Sequence, residues 1–210
     1  MQKYSESEQT KVPLYTEWGP REKNGLRQIQ ESYIPLYERT RHFRKYLPGV
    51  IPGFLQTPSY ATSLLTCITE FRGIPDDVES AVEARMERSR LIQQGERSFE
   101  MVIEEATLRY CVGTSEIMAE QLKHMLTMMP LPHLSLGIIP STAPRSIWPI
   151  EGFTIYDDSL VQVELLTAEI TVQAPTEVAT YTKAFGRLQK LAVYGPRARA
   201  LITSAIEALD

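Results

Sequence analysis

The sequence predicts an α+β fold: an antiparallel-rich mixed sheet flanked by helices, with a helical N-terminal part and a C-terminal helical pair. Three observations carry the prediction. Helical start and stop signals dominate the first hundred or so residues. Strand-like runs with short links crowd the stretch from Leu134 to Gln173. Two segments with helical apolar stripes then close the chain. Runs of helices followed by runs of strands indicate segregated elements rather than βαβ alternation.

Residues 1–17 open with the polar MQKYSESEQTKVP and read as a flexible tail or residual linker, leaving 18–210 as a single α+β domain. A helix is expected over Tyr33–Tyr46, with Pro35 tolerated in its first turn and Leu47-Pro48-Gly49 as its stop. Val50 to Gln56 holds too much Pro and Gly for a helix and should be a loop or short edge strand. Thr57-Pro58 then opens a helix to about Ile68, with Thr57 as cap and Pro58 in the first turn. Pro75-Asp76-Asp77 opens another, its carboxylates at the positive end of the helix dipole, and Gly95 closes it.

Phe99–Glu104 reads as a strand, Glu116–Met129 as a helix broken by Pro130, and Leu134–Pro140 as a strand. A Pro-rich loop follows from Ser141 to Ile150. Phe153–Tyr156, Val161–Leu165 and Ile170–Gln173 are strand-like, and their short links favour antiparallel pairing. The closing helices are expected over Pro175–Val193 and Pro196–Leu209.

With 43% hydrophobic residues the chain can form a sizeable core, which excludes wholesale disorder. A net charge of −4 argues against a generic nucleic-acid or membrane-surface binder. The basic excess gathers in Arg39-Thr40-Arg41-His42-Phe43-Arg44-Lys45, read as a solvated helix face. Cys67 and Cys111 sit among apolar residues and read as buried thiols of a reducing, cytoplasmic compartment. The sequence carries no secretory leader and no apolar run of membrane-spanning length, so no membrane association is expected.

Helical phase singles out polar residues on apolar faces. Arg85 falls in the middle of the face formed by Val78, Val82, Ser89 and Ile92. A guanidinium keeps its charge, so Arg85 is expected either to reach Glu105 or Glu164, or to snorkel outward along its apolar stem. Gln121 lies inside the broad apolar face of the Glu116–Met129 helix, among Met118, Met125 and Met129. Those methionines read either as ordinary core or as an adaptable binding surface. Strand alternation turns Glu105 inward with Met101 and Ile103, and sets Glu164 with Gln162 opposite Val161 and Val163. The resulting site hypothesis is a cavity between sheet and helix lined by Met118, Met125 and Met129. Arg85, Gln121 and Glu164 would supply its polar groups, and the loop bearing Arg145 and Trp148 would cover it. No Gly-rich phosphate loop, Cys-x-x-Cys pair, His pair of metal-ligand spacing or Gly-x-Ser-x-Gly elbow occurs, so neither cofactor nor metal is expected.

Several segments, taken in order, resemble one family. Pro52-Gly53-Phe54-Leu55-Gln56-Thr57-Pro58-Ser59-Tyr60-Ala61 is similar to the "PGLLQTPEYA" signature of the actinobacterial WhiJ-like helix-turn-helix regulators. Val82-Glu-Ala-Arg85-Met-Glu-Arg88, Ile103-Glu-Glu105-Ala-Thr-Leu108-Arg109, Gln121-Leu122 with Leu136-Gly-Ile-Ile-Pro140, and Val163-Glu164-Leu165 resemble further pieces of it. The resemblance implies the C-terminal effector domain of such a regulator, in an antitoxin-like arrangement. That domain would bind a small partner protein or a small-molecule ligand and so control DNA binding by a helix-turn-helix that precedes it. Nothing before Trp18 is long enough for that module, so direct DNA binding by this chain is not expected. A homodimer is compatible with this reading. The alternative is a cofactor-independent cyclase or isomerase of a natural-product cluster, built on the same domain, with Glu105 and Glu164 as acid and base.

Overall fold

The computed structural model describes residues 14–209. In chain order the elements are β1 (Tyr15–Glu17), α1 (Trp18–Glu22), α2 (Arg27–Ser32), α3 (Ile34–Arg39), β2 (His42–Leu47), α4 (Pro58–Arg72), α5 (Val78–Ser89), β3 (Ser98–Glu104), α6 (Ser115–Met128), β4 (Leu134–Ile139), β5 (Phe153–Tyr156), β6 (Leu160–Glu164), β7 (Ala168–Val172), α7 (Pro175–Leu191) and α8 (Gly195–Glu207). Short 3₁₀ turns occupy Gly53–Leu55, Arg90–Gln93 and Glu105–Leu108. The fold is α+β. Its seven strands form one sheet in the order β1-β7-β6-β5-β2-β3-β4. Only β2–β3 and β3–β4 are parallel; the other pairs are antiparallel.

The sheet buries both faces. Phe43, Phe99, Met101, Ile103, Leu136 and Ile138 belong to a large core shared with α2 to α6 and α8. Tyr46, Val102, Ile139, Phe153, Ile155, Val161 and Val163 point the other way, onto Val178, Phe185 and Leu188 of α7 and Ile147 of the Pro-rich loop. Strand alternation divides the sheet into these two chemically distinct faces.

The local signals for α4 hold. The Thr57 hydroxyl accepts from the Tyr60 amide, Pro58 sits in the first turn, and Gly73 ends the helix in the left-handed conformation one turn beyond the expected stop. Asp77 behaves differently from its sequence reading. Its carboxylate accepts from the backbone amides of Leu26 and Arg27, capping α2 from a distance. Gly25, with φ of 95°, lies so close that a Cβ there would meet the Asp77 carboxylate at 2.4 Å.

Three expectations are corrected. The helix expected over Tyr33–Tyr46 stops at Arg39, and His42–Leu47 is a strand in the interior of the sheet, paired with β3 on one side and β5 on the other. The backbone hydrogen bonds from two flanking strands override a segment whose own preference is ambiguous. Its basic run is therefore no solvated helix face: Arg44 and Lys45 are both 8% exposed. Tyr15–Glu17, assigned to the tail, pairs with β7; the remainder of that tail up to residue 13 lies outside the described residues. The thiols of Cys67 and Cys111 are unpaired as expected, but both are exposed rather than buried.

Candidate functional site

The sheet face that carries the larger core is not apolar throughout. Lys45 on β2 stands directly opposite Thr154 on β5, Thr154 opposite Gln162 on β6, and Gln162 opposite Thr171 on β7. Since all four occupy the same phase of the pleat, they form a polar row across four strands. Two positions along β6, Glu164 extends this polar floor to the end of that strand.

The helices cannot close over such a row as they close over Phe43 and Phe99. A cavity of about 350 Å³ remains between them. Lys45, Thr154, Tyr156, Gln162 and Glu164 form its floor, Tyr33 and Tyr37 of the α2–α3 region one wall, and Arg85, Arg88 and Ser89 of α5 another. Leu64 and Ile68 of α4 and the loop from Leu47 to Gln56 complete it. Arg85 and Arg88 lie three residues apart on α5 and so share a face.

Each cation is held by neutral groups. Arg85 donates from Nε to Gln30 Oε1 at 3.0 Å and from Nη1 to Gln56 Oε1 at 2.8 Å. Burial, then the neighbouring Arg88 charge, push its pKa down to about 10, so it stays protonated at neutral pH. The Arg88 guanidinium lies 5.2 Å from the ring centroids of both Tyr33 and Tyr37, and Lys45 Nζ lies 5.5 Å from that of Phe54. Among the described residues none of the three has a carboxylate within ion-pair reach. Glu164, the carboxylate lining the cavity, is exposed at its rim.

The tyrosines respond to this charge. Burial alone would raise the Tyr37 phenol, but Lys45, Arg88 and the Tyr156 hydroxyl outweigh it and hold the group below the usual phenol range. Tyr156 is driven well above that range by burial and by Tyr37 itself. Tyr33 donates to Glu169 Oε2 at 2.5 Å, and Arg21 reaches the other oxygen of Glu169 at 3.2 Å. Burial raises the Glu169 carboxyl despite these partners.

Of the residues singled out in the sequence, the fold brings Arg85 and Glu164 to this cavity. The others go elsewhere. Met118 and Met125 are fully buried core. Gln121, also fully buried, donates from Nε2 to the Leu55 carbonyl at 2.6 Å and accepts from the Thr57 amide at 2.8 Å. It therefore braces the loop carrying Gln56 and does not line this cavity. Met129 lies by a separate shallow groove beside Tyr194 and Arg199.

Glu105 does not turn inward, because β3 ends at Glu104 and the chain enters a 3₁₀ turn. Its carboxylate accepts from the Ser141 amide at 2.8 Å, which holds its pKa below the usual range. Neither Glu105 nor Glu164 is paired with Arg85, and Glu105 and Glu164 do not share a site. The inward carboxylate is Glu104, on the α7 face. It accepts from Tyr46 at 2.7 Å and from both terminal nitrogens of Arg145 at 2.9 and 2.5 Å. Arg145 and Trp148 thus belong to the loop over the opposite face of the sheet, with Trp148 72% exposed, and neither covers the cavity.

Lys45, Arg88, Tyr33, Tyr37, Tyr156, Gln56 and Gln162 were missed. Two signals were present. Arg88 follows Arg85 at helical spacing, and Gln162 alternates with Glu164 on the face opposite Val161 and Val163. Lys45 left none, because its segment read as helix.

A model of the family described as a domain of unknown function, DUF5753, matches residues 30–204. No curated protein matches the chain. Among solved structures, the archaeal chromatin protein TrmBL2 is 10% identical with a TM-score of 0.44, over 91% of this chain and 57% of that one, so the chain spans little more than half its length. NucT from Helicobacter pylori is 9% identical at a TM-score of 0.44, over 84% and 94% of the two chains. Nuc from Salmonella typhimurium, a phospholipase D family member, is 12% identical at 0.42, over 86% and 94%. Overlaps this loose carry no argument about this chain.

Proposed function

The chain belongs to the DUF5753 family, and on that footing we propose that it is a regulatory domain that binds a small molecule in the cavity over β2, β5 and β6. The observation that carries the reading is the cluster of Lys45, Arg85 and Arg88 around one cavity, none with a carboxylate partner among the described residues. Lys45 is buried and Arg85 and Arg88 are partly buried; charges that lose hydration are normally paired, and clefts that hold unpaired ones are candidate binding sites. The resemblance to WhiJ-like regulators supports a regulatory use of that binding. Its motif segments supply Gln56, Arg85, Arg88 and Glu164 to the cavity and Gln121 to the loop behind it. A cytoplasmic location belongs to the same reading and is supported by the two exposed thiols, which a reducing compartment preserves. Among the described residues no helix is long and apolar enough to cross a membrane.

The test is a thermal-shift screen of a metabolite panel against the wild-type chain and Gln162→Trp, whose indole fills the cavity from its floor. Ligands that raise the Tm of the first and not the second support the site. A panel that shifts neither, or both alike, overturns it.

One observation favours a second reading, a cofactor-independent enzyme of the cyclase or isomerase type. Tyr37 lines the cavity and is held below the usual phenol range, which suits a proton acceptor, whereas the pair Glu105 and Glu164 does not meet. Conversion of a ligand found in the screen, lost in Tyr37→Phe, would support this reading. Recovery of that ligand unchanged after prolonged incubation with wild type would remove it.

A further inference from the structure

We infer that the cavity takes a compact dianion, a small molecule with two negative charges on a phosphate group or on paired carboxylates. The inference rests on the ligand-binding reading above and names the chemical class of its ligand. Lys45, Arg85 and Arg88 face the cavity against the single carboxylate of Glu164, which stands at the exposed rim. The imbalance is two positive charges.

The aromatic residues indicate how the ligand is recognised. In a site that stacks a ring, such as a nucleobase, aromatic faces lie open to the ligand. Here the cations already lie near those rings: Arg88 is 5.2 Å from the centroids of Tyr33 and Tyr37, and Lys45 is 5.5 Å from that of Phe54. The rings therefore position the cations, and recognition falls to their N–H donors. Arg85 uses Nε on Gln30 and Nη1 on Gln56, which leaves Nη2 without a protein acceptor among the described residues. Arg88 spends only Nη1, on the Gln30 carbonyl at 3.4 Å. Nη2 of Arg85, the Nε and Nη2 edge of Arg88 and the Lys45 ammonium are donors suited to the oxygens of a phosphate or dicarboxylate, whose charge-assisted hydrogen bonds are stronger than neutral ones. A volume of about 350 Å³ lies at the lower end for small-molecule sites, which limits the ligand to a compact one.

The test is calorimetric titration of the chain with inorganic phosphate, succinate and acetate at constant ionic strength, on wild type, Arg88→Gln and Lys45→Met. Circular dichroism of the variants checks that they fold. The expected result is that phosphate or succinate binds at least ten-fold more tightly than acetate, and that each folded variant loses at least ten-fold. Whichever dianion binds better decides between a phosphoryl and a dicarboxylate ligand. Acetate binding as tightly as the dianions would overturn the dianion and leave the cavity as a ligand site. Dianions that bind wild type and both folded variants equally would be binding elsewhere, and the proposal falls. If no anion binds while a neutral metabolite stabilises wild type and not Gln162→Trp, the dianion falls and the ligand-binding reading stands. If nothing binds in either experiment, both fall.

Discussion

The guanidinium of Arg85 donates to the side-chain carbonyl of Gln56 across 2.8 Å, tying α5 to the loop that precedes α4. Gln56 in turn donates from Nε2 to the Ile51 carbonyl at 2.8 Å, so the amide is oriented and presents its oxygen to Arg85. A charge for which the sequence left a carboxylate partner or an outward-reaching stem is thus solvated by two neutral amides, Gln30 and Gln56.

This arrangement sets what removing Arg85 should cost. Taking away one member of a buried ion pair strands its partner and costs about 3–5 kcal/mol. Here Arg85→Met strands two buried amide oxygens, at about 1–3 kcal/mol each, offset in part by relief of a charge held without a counter-ion. Urea denaturation of the two proteins measures the difference. If Glu164→Gln restored stability in the Arg85→Met background, a carboxylate would depend on Arg85 after all.

Gln121 braces backbone groups instead of a charge. Its two bonds satisfy the Leu55 carbonyl and the Thr57 amide in a fully buried setting. Gln121→Leu keeps the volume but leaves both backbone groups without partners, at about 1–3 kcal/mol each. A combined loss of about 2–6 kcal/mol by denaturant unfolding is expected. Ligand binding should weaken in parallel, because Gln56 sits between those two backbone groups.

Tyr37 gives a spectroscopic signature. Its phenol is held below the usual range, while Tyr33, Tyr46, Tyr60, Tyr156, Tyr181 and Tyr194 are all raised. An alkaline titration followed by phenolate absorbance should show one early ionisation, below the unfolded pKa of about 10. That step should vanish in Tyr37→Phe. The linkage has a definite sign. An acid whose folded pKa is depressed contributes stability above its unfolded pKa, and this is lost as pH falls through the folded pKa. Wild type should therefore gain stability relative to Tyr37→Phe as pH rises toward 10.

The basic run Arg39 to Lys45 should not read DNA. Arg44 and Lys45 are buried in an interior strand, and Arg44 pairs with Asp158. A gel shift with this chain at physiological salt should show no sequence-specific complex. Specific binding at sub-micromolar concentration would contradict the prediction and require a reading surface elsewhere.

The sequence by itself determined the elements whose signals are local. Thr57-Pro58 and Gly73 bound α4, the apolar stripe Val178, Tyr181, Phe185 and Leu188 marks α7, and short links between alternating runs give the antiparallel β5–β6–β7 meander. It also marked Arg85 and Gln121 as polar residues on apolar faces, since helical phase depends only on nearest neighbours in the chain. The tertiary structure alone decided what those residues meet. His42–Leu47 becomes a strand because β3 and β5 flank it with hydrogen bonds from residues more than fifty positions away. Lys45, Thr154 and Gln162 become neighbours only through that pairing, and no periodicity within any one segment aligns them. The cavity exists because cross-strand register puts a polar row beneath helices that elsewhere cover an apolar face. Register between distant strands is a property of the assembled sheet and leaves no mark in any one of them.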